Sequence, residues 1–320
     1  MSHKKNIKKK LAFFSSIILT VMIFIIIFLQ INKNDFIENF KQINLFYFSF
    51  AMIILFITFL ILAYRWKLII KDYKNSPLSK CIKVFFVSQS FNIITPSNIG
   101  DFSKAYFFKD KKYTLKIGAS TIIFERIIDL FVIATFSILG IIIIDIQSKI
   151  TFLLKILMIL MFSILVLLLT ANFKKNSIIV KIIKIIIPFN KIKNLVIDML
   201  SYFETLRKDK INVLKIFLLT YLFWFLSLIQ GYVLFMAIGL TKVPNINFFI
   251  IIALIPISIL IGMIPITVGG MGTRELAMIV TFSPYAPASI MILFGLMFSI
   301  RYIFSSLLGL IWLNKFINKK

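Results

Sequence analysis

The sequence predicts an all-α polytopic membrane protein, with six full transmembrane helices plus two re-entrant helical hairpins arranged as an inverted repeat. Eight full spans is the competing count. Three observations carry this prediction. Of 320 residues, 60% are hydrophobic and only 15% charged, against roughly 45–50% apolar and about 25% charged in a soluble domain, and the mean hydropathy is +0.99. The apolar residues fall into runs of membrane-spanning length. Two further apolar regions are interrupted by Pro and Gly at matching places.

A spanning helix needs about 17–25 mostly apolar residues. Residues 11–31, 45–69, 117–144, 152–170, 212–239 and 286–313 meet that requirement. The first run follows Lys4, Lys5, Lys8, Lys9 and Lys10 and has no small-residue cleavage site after Gln30, so it reads as an uncleaved anchor rather than a signal peptide. Orientation follows from the Lys and Arg in the connections. The N-terminal tail, segments 65–116 and 171–215 and the C-terminal tail together carry twenty-nine; the opposite set carries only Lys33, Lys41, Lys149 and Lys242. Both termini are therefore expected in the cytoplasm, and the chain in the cell membrane.

The interrupted regions are 78–108 and 247–281. Backbone that leaves the helix at membrane depth must be shielded by protein or line a wet cavity, which is why both read as hairpins. Pro96-x3-Gly100-Asp101 and Pro265-x3-Gly269-Gly270 share a core, each followed by a cation, Lys104 or Arg274. By the span count the first hairpin starts from the cytoplasmic side and the second from outside. That is the pattern of an inverted repeat with a site between its halves. The whole chain, 1–320, is one integral membrane domain: a first half 11–170, a second half 212–313, and a connector 172–211. The connector alternates Lys with apolar triplets and is expected to lie as amphipathic helices on the inner leaflet.

The formal charge is +25, from 32 Lys and 5 Arg against 12 acids. Such a surplus favours anionic membrane surfaces; it does not by itself indicate nucleic acid, and none is expected as a partner. One cysteine, Cys81, excludes an internal disulfide, and one histidine, His3, removes the residue most used for metals. No cofactor and no metal is expected. Where Lys is the default cation, Arg persists where a planar fork matters. Three of the five, Arg126, Arg274 and Arg301, lie inside or beside apolar segments.

Four acids sit in or against membrane segments: Asp101, Glu125, Asp129 and Glu275. Each costs at least about 2.5–3.5 kcal/mol to insert, so each is a functional candidate. Glu125 and Asp129 are four apart and share a helical face, and Arg126 can touch Asp129. They line a polar route or form a structural ion pair. Gly269, Gly270 and Gly272 precede a helix starting at Thr273, so backbone N–H groups can approach an anion. Arg274 adds a phosphate-shaped fork, and Glu275 holds that fork or alternates with the ligand. The alternative is a tight turn needing positive φ, with Arg274 and Glu275 satisfying each other. In the first hairpin Asn92, Pro96, Gly100, Asp101 and Lys104 belong to an unusually polar run. Arg301 is either counter-ion to the third-span acids or a cation reaching for an interface.

NIITPSNIGDFSKAYFF, STIIFERIIDL and IPITVGGMGTRE, in that order, resemble the transmembrane, flippase-like domain of the lysylphosphatidylglycerol synthase family. The resemblance spans roughly residues 10–315. The family pattern has Gly-Glu then Arg in the first hairpin, where this chain has Gly100-Asp101 and Lys104, keeping the charge signs and changing the geometry. The full synthases carry a soluble aminoacyltransferase domain after the membrane region; here the sequence ends at Lys320, so the resemblance implies the stand-alone form, without the aminoacylating step and not an enzyme. The expected function is translocation of an anionic phospholipid or lipid-linked headgroup between leaflets, with membrane lipids as partners. Arg274 is expected to hold phosphate, and Arg126 or Arg301 to balance Glu125 and Asp129. The alternatives are a membrane-embedded lipid-modifying enzyme, an accessory to a phosphatidylglycerol lysyltransferase, or an ion-coupled solute transporter. The sequence leaves open whether copies form a homo-oligomer.

Overall fold

The computed structural model describes residues 2–30, 32–93, 95, 99–144, 156, 159–160, 163, 190–239, 243–244, 246–263 and 267–317. Pro96, Pro265, most of the predicted span 152–170 and residues 172–189 of the connector lie outside the described residues. Within them there are eleven α-helices. They are α1 (Ser2–Gln30), α2 (Lys33–Lys41), α3 (Leu45–Ile70), α4 (Leu78–Asn92), α5 (Ser103–Phe108) and α6 (Leu115–Ile144), followed by α7 (Asn190–Leu206), α8 (Lys210–Ile238), α9 (Phe248–Gly262), α10 (Thr273–Phe282) and α11 (Ala288–Ile317). A short 3₁₀ turn, Ile99–Phe102, leads into α5.

Local chemistry sets several of these boundaries. Asn44 accepts the Phe46 and Tyr47 N–H groups at the start of α3, Asp209 accepts that of Asn212 at the start of α8, and Asn247 accepts that of Ile250 at the start of α9. Each satisfies backbone donors that a first turn leaves orphaned. Both interrupted regions do break: α4 ends at Asn92 before the 3₁₀ turn, and α9 ends at Gly262 before α10. Among the described residues three helices, Leu45–Ile70, Lys210–Ile238 and Ala288–Asn314, are long and apolar enough to cross a membrane. A bent pair, Phe14–Leu29 and Lys33–Lys41, meets at 97° and would make a fourth span.

The molecule is apolar outside and charged within. Phe46, Phe50, Ile53 and Ile57 of α3, Ile211, Leu214 and Leu218 of α8, and Leu307, Leu310 and Ile311 of α11 are exposed, while Arg65, Asp101, Lys104, Glu125, Asp129, Arg274 and Glu275 are buried. Contiguous exposed apolar surface of this kind suits hydrocarbon rather than water. Helix α7, in the described part of the connector, is amphipathic. Its apolar face, however, is buried in protein: Phe203 meets Phe124 of α6 edge-on at 5.1 Å, and the Tyr202 hydroxyl donates to the Ile69 carbonyl at 2.9 Å.

Three helix pairs dominate the packing: α3 with α8, α4 with α11, and α6 with α9. The first arm of each interrupted region thus packs on the long helix that follows the interrupted region of the other half of the chain. At both exchanged crossings a glycine permits the approach. A Cβ on Gly140 of α6 would lie 2.0 Å from the Ala253 Cα of α9, and one on Gly309 of α11 would lie 2.0 Å from the Phe86 carbonyl oxygen of α4. In a membrane, where solvent exclusion does not drive helices together, small residues at the crossing let dispersion contacts do so.

Candidate anion cavity in a buried charge network

The i, i+4 spacing on α6 points Glu125 and Asp129 toward α3 and α8, and the cation that meets them there is Arg65. Its Nη1 donates to Asp129 Oδ1 at 2.6 Å and its Nη2 to Asp129 Oδ2 at 3.1 Å, a two-pronged fork; Nη2 also reaches Glu125 Oε1 at 2.8 Å. The Thr220 hydroxyl of α8 accepts from Nη1 at 3.0 Å, and the Trp224 indole N–H donates to Asp129 Oδ1 at 3.3 Å. Charge-assisted, forked bonds of this type are the strong ones.

Lys104 of α5 donates to Glu125 Oε2 at 2.7 Å, lies 3.6 Å from Asp101 Oδ1 and sits 4.5 Å over the Trp66 ring. Asp101, on the 3₁₀ turn, accepts from Arg126 Nη2, from Asn92 Nδ2 at 3.0 Å and from Ser88 Oγ at 3.4 Å. Gly100 lets that turn press on the end of α4, because a Cβ there would stand 2.4 Å from the Asn92 nitrogen. The structure therefore brings Asn92, Gly100, Asp101 and Lys104 of the first interrupted region into one network with Glu125, Arg126 and Asp129 of α6, clusters that the sequence offered separately.

The second glycine cluster is built as a turn. Gly269, Gly270 and Gly272 have φ of 58°, 73° and 88°, a region that L side chains avoid. Its backbone donors are already used. Gly269 N–H donates to the Thr95 carbonyl at 3.3 Å, Met271 N–H to that of Val268 at 2.9 Å, and Gly272 N–H to Glu275 Oε2 at 2.6 Å. The anion at the start of α10 is thus the carboxylate of Glu275. Arg274 is bonded to Glu275 at 2.8 Å and to Ser299 Oγ, and lies 4.9 Å over the Tyr302 ring. Thr273 Oγ1 pairs with Thr267 Oγ1 at 2.9 Å. Arg274 and Glu275 pair with each other, while the buried Arg274 Nε has no hydrogen-bond partner among the described residues. The Gly269–Thr95 bond also joins the two breaks.

Between the clusters lies a cavity of about 90 Å³ whose lining includes Arg65, Gln89, Asn92, Asp101, Glu125, Arg126, Asp129, Phe298, Arg301 and Tyr302. Arg274 is not part of the lining. Arg301 is: only 8% exposed, it stands 4.8 Å over the Phe298 ring and, among the described residues, bonds the Ser227 hydroxyl alone, weakly, at 3.4 Å. Among the described residues no carboxylate lies within 4.0 Å of it. The counter-ion role expected for Arg301 belongs to Arg65 and Lys104, since no acid of α6 reaches it. Arg126 lies 4.0 Å from Asp129 but spends its bond on Asp101.

Arg65 is the member of the buried network that sequence reasoning missed. It stands at the end of the 45–69 run and was counted among the loop cations of 65–116. Moving it and Lys104 inside leaves twenty-seven connection cations against four, so the bias stands. The available signal was rarity: it is one of five Arg in a chain of 32 Lys.

A family model described as Lysylphosphatidylglycerol synthase TM region matches residues 12–309. No curated protein and no solved structure matches the chain.

Proposed function

The chain belongs to the lysylphosphatidylglycerol synthase TM region family, and from that premise we propose that it carries an anionic phospholipid between leaflets, the lipid phosphate passing between Arg301 and Arg126. The family and the apolar exterior make it a membrane protein related to lipid handling; the transport step is our reading. One observation carries it. Around the cavity stand four cations, Arg65, Lys104, Arg126 and Arg301, and three carboxylates, Asp101, Glu125 and Asp129. Arg274 and Glu275 cancel. One positive charge remains, at Arg301. A buried, unpaired ion is strongly disfavoured, and one phosphodiester would neutralise it.

In this reading the two broken regions are re-entrant and enter from opposite faces. The reciprocal packing of α4 on α11 and of α9 on α6 is the contact pattern an inverted repeat would make. The chain makes six crossings in the cell membrane with both termini cytoplasmic, and acts as a transporter rather than an enzyme. The cavity has room for about three waters at ~30 Å³ each, so passage of a headgroup requires the two exchanged pairs to rock apart. The acyl chains stay in lipid while the headgroup crosses the charged slot.

The test is transport in liposomes of a labelled anionic lipid, read as loss of label to an external quencher. Wild type accelerates the loss over empty vesicles. Arg301→Gln lowers the rate at least tenfold without lowering thermal stability, because it removes an unpaired charge rather than a paired one. No acceleration with any of several headgroups, or a wild-type rate for Arg301→Gln, rejects the proposal.

A further inference from the structure

Helices α3 and α8 run antiparallel, so the end of one meets the start of the other. There Asn212 Nδ2 donates to the Leu68 carbonyl at 3.1 Å, and Lys71 pairs with Asp209 at 3.0 Å. Beside this junction is a second cavity of about 460 Å³, lined by Lys67, Lys71, Lys74 and Lys215 with Asp209 as the one acid, and by Tyr64 and Ile211. Its size lies within the usual range of ligand sites, about 300–1,000 Å³. Two of the lysines are spent: Lys71 on Asp209, and Lys74 on Asp110 and the Phe108 carbonyl. Lys67 and Lys215 have no carboxylate within 4.0 Å among the described residues. Asp72, nearby on the same turn, does not line the cavity.

We propose that this lysine cavity binds the phosphate of an anionic phospholipid in the adjoining leaflet, at a site separate from the central slot. The apolar flanks identify the ligand as a lipid. From Ile211 an exposed apolar stripe continues along α8 through Leu214, Leu218 and Leu222, and from Tyr64 another runs back along α3 through Leu60, Ile57 and Ile53. Two such tracks leaving one cationic cavity match two acyl chains leaving one headgroup. A basic pocket between helices at a membrane interface recognises anionic headgroups by charge; free phosphate would use the lysines and leave the tracks empty. The two cavities lie on different faces of the same stretch of α3: Leu62 and Arg65 line the central slot, while Tyr64, Lys67 and Leu68 line this one. The site stands whether or not the central slot transports.

The test uses the full chain in nanodiscs of phosphatidylglycerol in phosphatidylcholine, with a trace of phosphatidylglycerol carrying a photoactivatable group near the phosphate. Crosslinks are mapped by peptide mass spectrometry. Labelling should concentrate in residues 67–75 and 209–215, segments that line this cavity and not the central slot. In Lys67→Gln/Lys215→Gln, the phosphatidylglycerol fraction for half-maximal labelling should rise roughly 10- to 30-fold, with helicity and thermal unfolding unchanged. Millimolar inorganic phosphate should not displace the probe, and Arg301→Gln should label like wild type whether or not it transports. Four results would each overturn the proposal: undiminished labelling in the lysine double variant, equal labelling by a phosphatidylcholine probe, displacement by inorganic phosphate, or loss of labelling in Arg301→Gln.

Discussion

Arg65→Met tests the electrostatic account of the network most severely. The guanidinium makes three bonds to two buried carboxylates, at 2.6 and 3.1 Å to Asp129 and 2.8 Å to Glu125. Two unit charges about 4 Å apart attract by about 4 kcal/mol at an effective dielectric of 20. Deleting one partner of a buried pair also leaves the other uncompensated, at about 3–5 kcal/mol. Glu125 would keep Lys104 at 2.7 Å, but Asp129 would retain only the Trp224 N–H at 3.3 Å and Arg126 at 4.0 Å. The expected loss is therefore about 3–5 kcal/mol, with Asp129 responsible for most of it. Reversible unfolding by denaturing detergent in mixed micelles measures it. Adding Asp129→Leu should return part of the loss, since removing both charges costs less than stranding one. Arg65→Met within about 1 kcal/mol of wild type, or a double variant no better than the single, would refute the reasoning.

Two further perturbations separate packing from charge. Alanine is the better helix former by about 1 kcal/mol, so propensity alone would make Gly140→Ala and Gly309→Ala stabilising; with backbone atoms only 2.0 Å from each new Cβ, each should instead lose about 1–3 kcal/mol in the same unfolding assay. In the loop between α5 and α6, the hydrogen bond from Lys74, reinforced by the Tyr113 N–H, lowers the Asp110 carboxyl from its ordinary 3.8 to about 2. A folded-state pKa lowered in this way contributes stability that is complete above pH 4 and is lost as the pH falls toward 2. Thermal unfolding followed across that window should show the step in wild type and lack it in Asp110→Asn.

The ERIID motif shows how much of the site was legible along the chain. Helical spacing alone put Glu125 and Asp129 on one face, where two acids repel unless a cation faces them or one is protonated. It did not say which cation, because Arg65 is sixty positions away and joins them only when α3 packs beside α6. The GGMGTRE motif shows the reverse. Three glycines and a helix start described either an anion cradle or a self-satisfied turn, and the choice depended on where the Gly269 and Gly272 N–H groups and the Arg274 fork found partners in three dimensions. Arg301 became the exceptional cation only once every other charge around it had been paired.

By itself the sequence determined that the chain dissolves in hydrocarbon, where it breaks, and which acids must be neutralised, since hydropathy, Pro and Gly chemistry and helical periodicity act over neighbouring residues. The tertiary structure alone decided who neutralises whom, that the two breaks touch through Gly269 and Thr95, and that, among the described residues around the central cavity, one buried positive charge is left over. Coulomb pairing and cavity shape depend on distances through space, and those are set only when distant helices cross.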